Sequence, residues 1–207
     1  MAALTEAARF VHTVEAPRTG APTSALLLLH GTGGAEHDLL PFGRAVAPDA
    51  VLISPRGPVL ENGMARFFRR VAEGVFDEAD VIARAADLAA FAREAAARHA
   101  PGLPLAALGY SNGANIAAAV MLLHPDALDA AVLLRAMVPL VPERLPDLSG
   151  KRVLALSGIA DTIAPPDGAE RLAGLFRRAG ASVGTRALPA GHGLVQADVD
   201  ASAGFLR

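Results

Sequence analysis

Leu103-Pro104-Leu105-Ala106-Ala107-Leu108-Gly109-Tyr110-Ser111-Asn112-Gly113, followed by the alanine-rich run to Leu123, decides the fold. Leu103–Leu108 is short, apolar and bounded by breakers, as a buried strand should be. Asn112–Leu123 has the length and composition of a helix. Between them, Gly109-Tyr110-Ser111-Asn112-Gly113 is a G-x-S-x-G pentapeptide in a strand–turn–helix context, the pattern of a nucleophile elbow. The turn is so tight that side chains at its glycines would clash, and the serine takes a strained backbone. Its hydroxyl is then presented above the sheet, beside the free N–H groups of a helix start.

Outward from this stretch, the same two signals alternate. Strands are expected at Ala25–His30, Val51–Ser54, Ala130–Leu134, Val153–Ser157 and Ser182–Ala187, with an edge strand around Phe10–Val14. Helices are expected at Asp77–His99, Pro166–Ala179 and Leu194–Phe205, with a shorter one over His37–Val46. Asp77 followed by Asp80 suits a helix cap, and Gly180 suits a helix stop. Apolar strands interleaved with helices predict an α/β fold, a mostly parallel sheet covered by helices on both faces. Functional sites in such sheets lie beyond the carboxyl ends of the strands. Pro55–Phe76 reads as one long, irregular, ordered loop over that end, of the kind that often carries function.

A serine hydroxyl needs a base, and after a nucleophile of this type the chain order is an acid and then a histidine. Val153–Ser157 leads into Gly158-Ile159-Ala160-Asp161, which places Asp161 after a strand. The next expected strand leads into Gly191-His192-Gly193, which places His192 in a glycine-flanked loop. The competing acids are weaker: Asp167 sits at a helix start, where it reads as a cap, and Asp126 and Asp129 read as a surface turn. His124 reads as a helix terminus, and His99 and His12 as solvated. Two N–H donors must also face the developing oxyanion. The amide of Asn112 is one candidate. Thr32, in His30-Gly31-Thr32-Gly33-Gly34 after an early strand, is the other, with Gly33 as the alternative. A phosphate loop is excluded there, because neither a Lys-Ser/Thr pair nor the G-x-G-x-x-G spacing is present. His30 is expected to hold this loop rather than to transfer protons.

Taken together, these motifs resemble the phospholipase/carboxylesterase branch of the α/β-hydrolases. Asn62 to Arg70 and Glu73 to Asp77 resemble the bacterial subgroup linked to aromatic and hydroquinone metabolism. The resemblance spans nearly all of the chain from Leu26 onward. It implies an α/β-hydrolase fold without a large cap domain. It also implies a serine carboxylesterase that uses no cofactor and no metal, with Ser111, Asp161 and His192 as catalytic residues. Arg135-Ala136-Met137 departs from the branch, which carries a small Ser-Gly segment there, and could narrow or reshape the pocket. Phe67, Phe68 and Met137 are candidates to line it, the alternative being that both phenylalanines anchor the loop to the core. Arg66, Arg69 and Arg70 either recognise an anionic group or pair with nearby acids such as Glu73 or Asp77.

Composition narrows the field. The chain has 207 residues, 52 % of them hydrophobic, which suits one compact domain over 1–207 with a sizeable core. A net charge of −2, with acids and bases dispersed, gives no basic stripe for nucleic acid and no patch for a membrane surface. Cysteine is absent, which removes thiolate chemistry and disulfides. Met1–Glu6 shows no leader pattern, and the most apolar run, Ala25–Leu29, is too short to span a bilayer, so a cytoplasmic protein is the expectation. The composition leaves a homodimer open. The expected partner is a small-molecule ester, and small or short-chain esters suit a site with no large cap. A thioesterase or lysophospholipase-type acyl hydrolase is the alternative. A dehalogenase or epoxide hydrolase would want an acid at position 111, a non-catalytic binding module would show a broken triad, and a hydroxynitrile lyase rests on fold analogy alone.

Overall fold

In the computed structural model, residues 10–18 and 20–207 are described; Met1–Glu6, read above for a leader, lies outside them. The chain runs β1 (His12–Glu15), β2 (Ser24–Leu29), α1 (Leu40–Val46) and β3 (Ala50–Pro55). Four short strands follow: β4 (Val59–Glu61), β5 (Met64–Arg66), β6 (Arg70–Ala72) and β7 (Val75–Phe76). Then come α2 (Glu78–His99), β8 (Leu105–Tyr110), α3 (Asn112–Leu123), β9 (Ala130–Leu134), β10 (Arg152–Gly158), α4 (Pro166–Arg178), β11 (Ser182–Leu188) and α5 (Gln196–Leu206). Among the described residues seven strands form one sheet in the order β1-β3-β2-β8-β9-β10-β11, parallel except for β1, which pairs antiparallel with β3.

Successive side chains of a strand alternate between faces, and β2 shows what that does here. Leu27 and Leu29 enter the core shared with Val81, Leu88, Ile116 and Phe176 of α2, α3 and α4. Leu26 and Leu28 enter the opposite core with Leu40 and Val46 of α1 and Ala201 of α5. A strand buried on both faces must be apolar throughout, which is why the inner strands read as uninterrupted hydrophobic runs. The two edges escape this demand: β1 is half-buried, and β11 is mostly exposed and correspondingly polar, unlike the uniformly apolar strand expected there.

Local chemistry sets the helix ends. Asp77 caps α2 by accepting from the Asp80 amide at 3.1 Å, and Gly180 takes a φ of +94° just past α4. The strand expected at Leu103–Leu108 is displaced to Leu105–Tyr110. Pro104 has no N–H to give the ladder, whereas Gly109 and Tyr110 pair with Leu133 and Leu134.

The single long loop expected over Pro55–Phe76 is instead two hairpins, β4–β5 and β6–β7. Asn62 and Gly63 both have positive φ, 51° and 79°, as a two-residue hairpin turn requires. The Asn-Gly pair was therefore a legible signal, but flanking runs of three residues are too short to show alternation.

After β3 the chain crosses back over β2 to place β8 on its other side, so the loops after β2 and β8 diverge and leave a crevice between them. Among the described residues no large cap domain covers this end, and no helix is long and apolar enough to cross a membrane.

Candidate active site

Ser111 stands between β8 and α3 with φ 53° and ψ −113°, a left-handed conformation that a non-glycine residue rarely adopts. The glycines around it are obligatory. A Cβ on Gly109 would overlap the backbone of Gly113, and one on Gly113 would overlap the carbonyl of Leu29 on the neighbouring strand. The Ser111 amide donates to the Leu134 carbonyl at 2.8 Å, which ties the elbow to β9.

Asp161 lies in the loop after β10 and His192 in the loop after β11, so three strand ends bring the expected residues together. The Ser111 hydroxyl donates to Nε2 of His192 at 3.0 Å, and Nδ1–H of His192 donates to Oδ2 of Asp161 at 2.8 Å. Oδ1 of Asp161 accepts from the amides of Ile163 and Ala164, both at 2.9 Å. Burial alone would raise the Asp161 carboxyl. The Ala164 amide, His192 and the Ile163 amide together outweigh it and hold the group below the usual carboxylate range. The imidazole is thus given one tautomer, with Nε2 free to accept.

The loop after β2 faces the serine. Gly33 donates its amide to Ala65 at 2.9 Å, so the alternative donor is already occupied, and Thr32 remains the better candidate. Thr32 is held from the side: Nη1 of the buried Arg66 donates to its Oγ1 at 2.7 Å, while Nε of the same arginine donates to the Phe68 carbonyl. His30 clips the loop as expected, with Nδ1–H to the Gly31 carbonyl at 2.7 Å and Nε2 accepting from the Gly57 amide at 2.9 Å. Burial holds its pKa below the ordinary value, which suits a neutral ring wired on both nitrogens. Asn112, the first residue of α3, has an amide with no partner within its own helix, and its Oδ1 accepts from the Phe67 amide at 2.7 Å.

A cavity of about 220 Å³ opens on Ser111 and His192, walled by Thr32, Phe76, Asn115, Met137 and Ile163 among others. Met137 lines it as expected. Phe67 and Phe68 do not: they are 1 % and 0 % exposed and belong to the core. Phe67 packs on His30 with ring centroids 4.8 Å apart, and Phe68 meets Phe76 edge-on at 5.2 Å. Both residues lie in the link between the two hairpins and turn their rings inward, where apolar partners lie; Phe76, which was not singled out, reaches the cavity instead.

Among the arginines, Arg66 and Arg70 pair with Glu61, and Arg69 with Asp77. Of Arg135-Ala136-Met137, Met137 reaches the cavity wall, whereas Arg135 is fully buried and absent from it. Asp167 lies in the first turn of α4, but makes no cap there. His12, expected in solvent, is half-buried against Phe91.

A doubly covered parallel sheet with a strained serine between strand and helix, an acid after a later strand and a histidine after the last one defines an α/β-hydrolase. Comparison with known proteins agrees. A family model described as "Serine aminopeptidase, S33" matches residues 77–165, the span that holds Ser111 and Asp161. The chain is 45 % identical to the putative hydrolase MhqD of Bacillus subtilis (strain 168) over 182 residues, which is 87 % of this chain and 91 % of that protein. Among solved structures, the carboxylesterase of Bacillus cereus superposes with a TM-score of 0.87 at 42 % identity, covering 94 % of this chain and 92 % of that one. The carboxylesterase from Mesorhizobium loti gives 0.86 at 36 %, covering 96 % and 94 %. The chain belongs to the family of MhqD, in the carboxylesterase branch of the α/β-hydrolases, and is a hydrolase.

Proposed function

We propose that the protein is a serine carboxylesterase that hydrolyses small or short-chain carboxylic esters. The observation that carries this is the unbroken hydrogen-bond chain from Ser111 Oγ through His192 to Asp161, anchored on a serine of positive φ at a helix start. The similarity to the carboxylesterases of Bacillus cereus and Mesorhizobium loti supports the bond type.

In the first half-reaction Ser111 Oγ attacks the ester carbonyl as its proton passes to His192 Nε2. Asp161 keeps Nδ1 protonated and stabilises the imidazolium that forms. The amides of Thr32 and Asn112 bind the oxyanion. His192 returns the proton to the departing alkoxide and leaves an acyl-Ser111. Water then repeats the sequence: its proton goes to Nε2, its oxygen to the acyl carbon, and Ser111 recovers its proton from His192. Every proton has a donor and an acceptor among these groups. The cavity of about 220 Å³ favours small esters.

A series of p-nitrophenyl esters of graded chain length, with a thioester alongside, tests the proposal. Turnover should be greatest for the short esters, vanish in Ser111→Ala with the fold retained, and be blocked by a fluorophosphonate that labels Ser111 alone. Appreciable esterase activity in Ser111→Ala would overturn it.

A further inference from the structure

The loop that carries His192 is flanked by Gly191 and Gly193, neither of which has a side chain to anchor it, yet all three of its carbonyls are held by side chains. Gly191 O accepts from Nε of Arg135 at 3.0 Å, Gly193 O from Nη2 of Arg135 at 3.1 Å, and His192 O from the Tyr110 hydroxyl at 3.2 Å. The guanidinium is completely buried and makes a two-point ion pair with Asp198, both bonds 2.8 Å. Its remaining donor meets the Leu156 carbonyl, so all five N–H groups of the fork are used. Asp198 in turn accepts from the Val195 amide at 2.9 Å and closes the far end of the same loop. Arg135 itself adopts a φ of 57°, one of three non-glycine residues among those described to do so. Such strain persists only where the surroundings over-determine it, and here it coincides with the clamp on the histidine.

We propose that Arg135 is a positioning residue: its fork fixes the backbone on both sides of His192 and so holds the imidazole in line between Ser111 and Asp161. This rests on His192 being the general base. The two bonds to the ring nitrogens set the tautomer, but a ring carried on a glycine-flanked loop needs its backbone restrained to stay within attacking distance. A displacement of about 1 Å at a reacting group costs on the order of 10²-fold in rate. A planar fork can span two carbonyls and a carboxylate at once, whereas an ammonium is a single point.

Two variants test this, Arg135→Met/Asp198→Leu, which removes both charges together and leaves no buried ion unpaired, and Arg135→Lys, which keeps the charge opposite Asp198 but cannot reach both glycines. Each is assayed on p-nitrophenyl acetate well below its melting temperature, alongside wild type and Ser111→Ala. The double variant should lose about 10²-fold in kcat with KM within about twofold, and Arg135→Lys should recover part of that loss. The downfield proton resonance of His192 Nδ1–H should broaden in the folded double variant through faster exchange, which a role in the fold alone would not produce. Folded variants with wild-type kcat and an unchanged resonance overturn the proposal. So does loss of folding in both variants, since Arg135 would then serve the fold and not the histidine. If wild type turns over no more ester than Ser111→Ala, it is the esterase proposal that fails, and the resonance still reports on the clamp.

Discussion

At Asp161 the two carboxylate oxygens have separate duties, and an asparagine cannot perform both. Oδ1 receives two backbone amides and Oδ2 receives His192 Nδ1–H. In Asp161→Asn the side-chain carbonyl stays on the amides, which turns the NH2 toward the ring. Nδ1 must then accept, Nε2 carries the proton, and the serine has no base. We expect kcat to fall by about 10⁴ with the fold intact, while Asp167→Asn, in a helix first turn, changes neither activity nor melting temperature; steady-state kinetics on both variants decides. His30 has the opposite problem, since both its nitrogens are satisfied only in the neutral form. Burial lowers its folded pKa below that of the unfolded chain, about 6.5. The unfolded state therefore binds more protons beneath that value, and stability is full above it and falls as pH drops toward the folded pKa. The slope from this one group is at most about 1.4 kcal/mol per pH unit. His30→Gln should remove it, as read from melting temperatures between pH 7 and 5.

The two hairpins do the work of elements although none of their strands exceeds three residues. β4–β5 delivers Arg66 to Thr32, and β6–β7 delivers Phe76 to the cavity. What stabilises such small pieces is their docking. Phe68 lies in the core edge-on to Phe76, with Arg66 over its ring at 5.9 Å. Asp80 of α2 accepts from the Arg69 amide at 2.7 Å. Phe68→Ala should cost about 3–5 kcal/mol, the penalty for a deleted buried ring. Because the ring does not touch the cavity, activity on all esters should fall in parallel. A selective change across the chain-length series, at unchanged melting temperature, would show that the ring reaches the substrate after all.

Across the molecule, polar clips join the loops at the carboxyl end of the sheet. Glu36, after β2, accepts both Nε and Nη2 of Arg56, after β3, at 2.6 and 2.8 Å. The Arg56 hydrogen bond, reinforced by Glu36's own amide, brings the Glu36 carboxyl down to about 2. A carboxyl with a depressed folded pKa stabilises the fold above its unfolded value, about 4.3, and that contribution is lost as pH falls through about 2. Arg56→Met should therefore melt below wild type at pH 7, and the gap should close as the pH approaches 2. Thermal melts of the pair across that range measure it; a gap independent of pH would assign the loss to packing.

Much of this site was legible along the chain, because the features that announce it are local. A tight turn between strand and helix demands glycines at Gly109 and Gly113, and apolar runs followed by Asp161 and Gly191-His192-Gly193 mark two later strand ends in the required order. Buried parallel strands must be apolar throughout, so the sheet could be read as well. Which way Phe67 and Phe68 face could not, since a ring enters core or cavity according to what packs on its segment, and α2 and His30 supply that from elsewhere in the chain. Arg135-Ala136-Met137 read as a segment that could narrow or reshape the pocket, and nothing in it marked Arg135 as the part that turns into the core. Its partner Asp198 is 63 residues away, and no pattern at that separation indicates an ion pair. Local sterics and periodicity therefore determined the sheet and the elbow, and the chain order of this kind of fold pointed from there to Asp161 and His192. Tertiary contact alone decided which side chains wall the cavity and which buried charge holds the histidine loop, because the burial of a charge or a ring is settled only by the segments that close over it.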